Sequence, residues 1–257
     1  MTKELITIER FFFPGSMSEL AAHLVLPPFQ PCAYAIYVHC FTCSKDHHAS
    51  RRISAELAQL GIATLRFDLA GLGESRGCFA ETNFTTNVQD ILAAAHYLQN
   101  NHESPTLIIG HSLGGTAALV AASKFSNIRA VVTLNSPYDP GHVAKRVHSV
   151  REDVMLYGEA EVLIEGRPFK IRKNFFEALE NYNMGETLSK LKAALLVMHA
   201  PEDPVVDIRN ANQIFTAASH PKSFLSLDGM DHLLTKQTDA SYIANIIKAW
   251  ASRYIGV

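Results

Sequence analysis

A mostly parallel, eight-stranded α/β sheet with helices on both faces is the fold class this sequence predicts. Apolar runs of strand length recur at residues 33–38, 62–67, 106–109, 130–134, 194–198 and 223–227. Stretches of helical apolar period separate most of them, and repeated β-α-β units imply parallel strands. The third observation is Gly110-His111-Ser112-Leu113-Gly114, which joins an apolar run directly to an Ala- and Leu-rich helical stretch. Strand, G-x-S-x-G, helix is the setting in which this motif makes a sharp turn that lifts a serine above the sheet edge. Small residues are needed there, because a Cβ at Gly110 or Gly114 would crowd the neighbouring strand or helix.

Taken in order, residues 5–12 and 20–26 read as an antiparallel hairpin around the turn signal Pro14-Gly15, and Pro27-Pro28 ends the second strand. Strand 33–38 precedes the loop His39-Cys40-Phe41-Thr42-Cys43. A helix over about 46–60 carries Ile53, Leu57 and Leu60 on one face, with Gly61 just past its end. After strand 62–67, Thr86-x-x-Gln89 reads as a capping box for a helix bearing Val88, Ile91, Leu92, Ala95 and Leu98. The elbow strand, its helix over 113–125 and strand 130–134 follow.

Between about 136 and 192 the alternation breaks. Residues 160–164 and 168–171, joined at Glu165-Gly166, suggest a small hairpin, and a short helix near 174–182 follows. A connection this long reads as a lid inserted into a single domain spanning 1–257. Strand 194–198, helix 207–218, strand 223–227 and helix 239–254 complete the pattern.

Composition narrows the function. Of 257 residues 47% are hydrophobic, enough for a large core, and a net charge of −2 gives no bias toward nucleic acid or anionic membrane. Met1-Thr2-Lys3-Glu4 lacks the apolar core of a signal peptide, and no run of 18 apolar residues occurs. Four cysteines at this length do not form a disulfide framework. A reduced, cytoplasmic protein is expected.

A serine hydroxyl needs a base within reach and an acid to orient that base. In a doubly wound sheet such groups gather at the carboxyl ends of strands, which sorts the twelve histidines. His232 lies just beyond strand 223–227, whereas His220 precedes it, at the wrong edge. His111 is locked into the elbow, and His47-His48 enter a helix. Asp203 follows strand 194–198 directly and is the expected acid, with Glu202 and Asp207 as rivals. Asp207 suits a helix cap, and Asp231 adjoins the histidine itself. The order Ser112, Asp203, His232 is the one this arrangement uses. The oxyanion hole needs two backbone donors, Leu113 and, from the loop after the third strand, Phe41.

The stretches HCFTCSKD, RRISAELAQLGIATLRFDLAGLGES, GHSLGG, GRPFKI and HPKSFLSLDGMDHLL are spread over nearly the whole chain. Through them it resembles an α/β-hydrolase of the feruloyl/cinnamoyl-esterase-like type, and more closely the hydrolase portion of hydrolase–OsmC-like fusion proteins. The resemblance implies an α/β-hydrolase fold, serine esterase activity, a triad at Ser112, Asp203 and His232, and oxyanion donors at Phe41 and Leu113. Two features depart from it. A hydrolase domain without the second domain of those fusions is expected, and Cys40 replaces the glycine of the usual His-Gly-Phe loop, which bears on that loop and on the preferred substrate.

The weaker signals read as structural. Cys40-x-x-Cys43 has redox or metal-ligand spacing, but a single pair on this loop reads as packing rather than a zinc or thioredoxin-like site. His47-His48 read as surface, Gly71-Leu72-Gly73-Glu74-Ser75 as a turn, Asp68 as a backbone acceptor and Arg51-Arg52 as solvated. The expected function is a cytoplasmic carboxylesterase working through an acyl-enzyme, without metal or organic cofactor. A thioesterase and a non-catalytic binding module are the alternatives. Expected partners are a small-molecule ester, a second copy in a homodimer and, through the resemblance, a separate OsmC-like protein. Neither nucleic acid nor membrane is expected. Tyr138, Met155, Tyr157, Phe169 and Phe175 are expected to form an apolar ceiling that sets substrate choice.

Overall fold

Pairing of the apolar runs builds one eight-stranded sheet in the computed structural model, which describes residues 5–256. Met1–Glu4, read above for the lack of a leader, and the terminal Val257 lie outside the described residues. The strands are β1 (Thr7–Pro14), β2 (Glu19–Leu26), β3 (Ala33–Val38), β4 (Ile62–Phe67), β5 (Leu107–His111) and β6 (Ala130–Leu134). After an insertion carrying β7 (Glu159–Ile164) and β8 (Arg167–Arg172) come β9 (Ala194–His199) and β10 (Lys222–Ser226). The order is β1-β2-β4-β3-β5-β6-β9-β10, parallel from β4 to β10 and antiparallel at β1–β2 and β2–β4. The expected α/β-hydrolase fold and its eight-stranded sheet are present.

Burial explains why the central strands are mostly apolar. Every residue of β3, β4, β5, β6 and β9 is buried, as strands covered on both faces must be. One face packs on α2 (Phe84–Asn101) and α3 (Leu113–Lys124), with Val88, Ile91, Leu98 and Leu119 in its core. The other packs on α1 (His48–Gln59) and α8 (Gln237–Ile255), with Ile53, Leu57, Ile243 and Ile247. Among the described residues no helix is long and apolar enough to cross a membrane.

The N-terminus of α2 differs from the expected one. Its cap is Asn83, whose side chain accepts from the Thr86 amide at 3.1 Å while Thr86 Oγ1 accepts from the Asn83 amide at 2.9 Å. Thr86 is therefore the third helical residue of the box, since threonine can return the bond that glutamine was expected to supply.

The insertion holds more helix than its sequence suggests. Besides the hairpin β7–β8 and α5 (Lys173–Leu179), it contains a 3₁₀ segment over Pro140–Val150, α4 (Arg151–Tyr157) and α6 (Met184–Ser189). These pieces are short and follow no sustained period, so periodicity could not reveal them. Helix α7 (Arg209–Ala217) then returns the chain to the scaffold.

The elbow rests on close backbone approach. A Cβ on Gly110 would meet the backbone of Gly114 and Gly115, and one on Gly114 would run into the carbonyls of Val38 and His39. Gly114→Ala is therefore expected to cost about 1–3 kcal/mol of unfolding free energy, because backbone cannot yield as a side chain tip can. Urea denaturation should show a lower midpoint at an unchanged slope.

Candidate active site

Ser112 ends β5 and starts α3 with φ 53° and ψ −129°, a left-handed conformation that a non-glycine residue rarely adopts. Strain of this kind persists only where neighbours over-determine it. Here the Ser112 amide donates to Leu134 O at 2.8 Å and the Gly115 amide to Ser112 O at 2.8 Å. The turn leaves the hydroxyl facing a cleft beyond the carboxyl ends of the strands.

His232 and Asp203 meet that hydroxyl. His232 Nε2 lies 3.1 Å from Ser112 Oγ, and His232 Nδ1 lies 2.6 Å from Asp203 Oδ2. The other Asp203 oxygen accepts from the amides of Val205 at 2.7 Å and Val206 at 2.9 Å. Burial raises the Asp203 carboxyl, but its bond to His232 and the two amides outweigh that and hold it below the usual carboxylate range. The rivals are occupied elsewhere. Glu202 is exposed, and Asp207 accepts from the Arg209 amide at 2.8 Å and pairs with the Arg209 guanidinium. Asp231 accepts from the Thr235 amide at 3.1 Å.

Two further groups hold the histidine loop. His111 Nε2 sits 2.7 Å from His232 O, and Asn135 Nδ2 donates to the same oxygen at 3.1 Å. Asn135 Oδ1 also accepts from the Ala200 amide at 2.8 Å, so one buried side chain ties the loop of Asp203 to that of His232. Asn135 has φ 49°, a conformation asparagine tolerates better than most residues. Sequence reasoning missed both contacts, since His111 was read only as part of the elbow and Asn135 belongs to no motif. The one available signal was an asparagine immediately after a predicted parallel strand.

Burial pushes the His111 imidazole down to about 3, and the neighbouring His232 adds to the depression. His111 is thus neutral and donates its Nε2 proton to the carbonyl. Burial also lowers His39, His47 and His199. His47 is only half-buried and packs 6.3 Å from the His111 ring, whereas His48 is exposed, so the expected surface pair divides.

Phe41 and Leu113 flank Ser112 on the cleft wall. Neither amide donates to a carbonyl in the loop and turn hydrogen bonds of the described residues. Cys40 and Cys43, expected to pack as reduced thiols, are instead joined by a disulfide. The turn closed by the Cys43 amide on Cys40 O at 3.0 Å brings their Cα atoms to 5.2 Å, within bridging range. Cys32 and Cys78 are free. Asp68, as expected, accepts backbone amides, those of Lys45 at 2.6 Å and Glu74 at 2.9 Å.

The expected apolar ceiling does not form over Ser112. Met155 is 42% and Tyr157 74% exposed, because α4 buries Val154 and turns its other face outward. Tyr138 packs toward Gly185, its amide donating to Asn210 at 3.1 Å. Phe169 packs tilted against Phe79 with ring centroids 4.8 Å apart, while Phe175 packs 5.9 Å from Phe41, so both lie on the side of the Phe41 loop. The insertion reaches the cleft through Pro137, His142, Val143, Arg146, Ile164 and Glu165. His142 Nε2 and Val205 O lie 3.1 Å apart, and Arg167 donates to Thr42 O. The cleft has a volume of about 40 Å³.

A family model described as the alpha/beta hydrolase fold matches residues 36–251. The chain belongs to that family. It is 43% identical to the esterase domain of a Rhodothermus marinus protein, a solved structure matched over 97% of this chain and 100% of that one with a TM-score of 0.78. Est1E from Butyrivibrio proteoclasticus, solved with ferulic acid bound, is 20% identical with a TM-score of 0.78, covering 96% of this chain and 100% of that chain. Among curated proteins, lysophosphatidylserine lipase ABHD12 of Macaca fascicularis is 23% identical over 207 residues, 75% of this chain. The chain spans about half the length (47%) of that relative. Its relatives in this family are thus esterases and lipases.

Two outcomes follow from the buried polar groups. Asn135→Ala leaves the Ala200 amide without its partner and strips one donor from His232 O, which should cost about 2–5 kcal/mol in chemical denaturation. The depressed histidines make stability depend on pH. Unfolded histidine titrates near 6.5, so below that pH the unfolded chain binds protons that His111 refuses until about pH 3. Stability is full above about pH 6.5 and falls toward pH 3, with a slope of about 1.4 kcal/mol per pH unit for each such histidine. His111→Gln should make the urea midpoint less steep in pH over this window.

Proposed function

We propose that the protein is a carboxylic ester hydrolase that works through an acyl-enzyme on Ser112. The observation that carries this reading is the hydrogen-bonded line from Ser112 Oγ through His232 to the Asp203 carboxylate at the edge of the cleft. His232 Nε2 takes the hydroxyl proton as the serine oxygen attacks the ester carbonyl. Asp203 holds the Nδ1 proton in place and stabilises the imidazolium that forms. The Phe41 and Leu113 amides receive the oxyanion, helped by the positive end of α3. His232 then gives its proton to the leaving alcohol, and water, activated in turn by His232, releases the acid. The chain supplies base, orienter and oxyanion donors itself, so this route calls for no metal or organic cofactor.

The cleft points to a small acyl group. The space beside Ser112 is narrow, with a volume of about 40 Å³, and Pro137, Val143 and Ile164 of the insertion line one side of it. Bulky acyl groups must displace the insertion, which His142 and Arg167 tie to the loops of Asp203 and Phe41. The insertion thereby acts as a lid.

A fluorophosphonate should add once to the intact protein, at Ser112, and Ser112→Ala should abolish both adduct and turnover without loss of folding. Asp203→Asn should lower kcat by several orders of magnitude, by favouring the wrong histidine tautomer. Asp207→Asn should remain active. Among p-nitrophenyl esters, acetate and butyrate should exceed bulky aryl esters in kcat/KM. A folded protein that takes no adduct would end the esterase reading.

A further inference from the structure

The loop that supplies Phe41 is closed by a bond that hydrolysis itself does not require. Resting on the esterase reading above, we propose that the Cys40–Cys43 disulfide holds the Phe41 amide in its oxyanion position, with Cys43 as a positioning residue that touches no reacting atom.

The turn is one its own sequence disfavours. With the Cys43 amide on Cys40 O, Phe41 and Thr42 are the two central residues of a β-turn. Thr42 has φ 59°, where turns of this kind place glycine or asparagine and where a β-branched side chain is a clear outlier. Such a turn opens unless its surroundings over-determine it. Upstream, the Leu69 amide donates to His39 Nε2 at 3.2 Å, which leaves neutral His39 to donate from Nδ1 to Cys40 O at 2.8 Å. Downstream, the Lys45 amide is fixed on Asp68, and its buried ammonium sits among Asp46, Asp68 and Glu74. The two ends are thus anchored at 39–40 and at 45.

Between them the Phe41 ring packs 6.0 Å from Phe79 and 5.9 Å from Phe175, contacts that hold the side chain rather than the turn. Thr42 Oγ1 donates to Phe41 O at 2.7 Å, and Arg167 reaches Thr42 O from the insertion. The disulfide is the one covalent tie across this segment. Cys40, Phe41, Thr42 and Cys43 all line the cleft with Ser112, so movement here is movement of the oxyanion wall. An oxyanion donor must stay about 2.7–3.1 Å from the developing charge, and a relaxed turn would carry Phe41 N–H out of that range. Leu113, fixed at the start of α3, would be left as the single donor.

The bond can be broken in the folded protein. A dithiol such as dithiothreitol passes two electrons to the disulfide and closes to its own cyclic disulfide. Its two protons end on Cys40 and Cys43, which become thiols. Alkylation of the denatured, unreduced protein should count two thiols, Cys32 and Cys78, and four after dithiothreitol. With p-nitrophenyl acetate, reduction should lower kcat roughly 100- to 1,000-fold, the loss expected when one oxyanion donor is taken away. KM should change little, and near-UV circular dichroism should show the fold intact. Reoxidation should restore kcat. Cys43→Ser should match the reduced enzyme and ignore dithiothreitol, whereas Cys32→Ser/Cys78→Ser should respond as wild type does.

Four thiols before reduction would overturn the proposal. So would fully reduced wild type and Cys43→Ser turning over at the oxidised rate, or a loss that tracks unfolding rather than kcat. Each of those results leaves Ser112 labelled by the fluorophosphonate in the oxidised protein and the esterase reading standing. Absence of both label and turnover in every form would remove that reading, and this proposal with it.

Discussion

The contact between the elbow and the third strand governs the arrangement of the site. Gly114 lies against the carbonyls of Val38 and His39, closer than any side chain would allow. That approach brings the start of α3 beside the loop leaving β3, so Leu113 and Phe41 come to line one wall around Ser112. The same turn forces Ser112 to φ 53°, and the strain is held by bonds to β6 and within α3. A serine presented this way is fixed before any substrate arrives, which is how a reacting group avoids reorganisation at the moment of reaction.

Electrostatics around the site follow from burial. Asp203 remains ionised in spite of its surroundings because every lone-pair direction it uses meets a donor, two amides and His232. His111 responds in the opposite way, losing its charge to burial and serving as a neutral donor to the His232 carbonyl. Asn135 joins those two loops at their base. His232 is therefore oriented from three sides, by Asp203 at its ring and by His111 and Asn135 at its backbone.

The insertion contributes differently from what its aromatic residues suggest. Tyr157 and Met155 face outward, while Phe169 packs on Phe79 beside Phe41 and Phe175 packs on Phe41 itself. Its polar groups make the ties nearest the chemistry, with Arg167 at the Thr42 carbonyl and His142 at that of Val205. Contact between insertion and site thus runs through two backbone carbonyls, one on the loop of Phe41 and one beside Asp203.

Much of this was legible in the residues alone, for reasons that are local. The central strands are buried on both faces, so they read as mostly apolar runs, and β3, β4 and β6 have the bounds their sequence implies. The elbow is a short motif whose glycines answer to backbone collisions within a few residues. The placing of Ser112, Asp203 and His232 after particular strands followed from topology once the strands were known. Tertiary structure decided what depends on side-chain direction or on distant partners. Whether Asp203 or Asp207 meets His232 turns on which carboxylate the loop after β9 aims inward, and composition holds no record of that. The role of Asn135 rests on bonds to residues 65 and 97 positions away. Cys40 and Cys43 differ from packed thiols only because a turn at Thr42 brings their Cα atoms within bridging distance. Sequence determined the elements and their order, since burial and backbone geometry are written locally. The contacts among loops were settled by the fold, because they join residues that only the assembled sheet brings together.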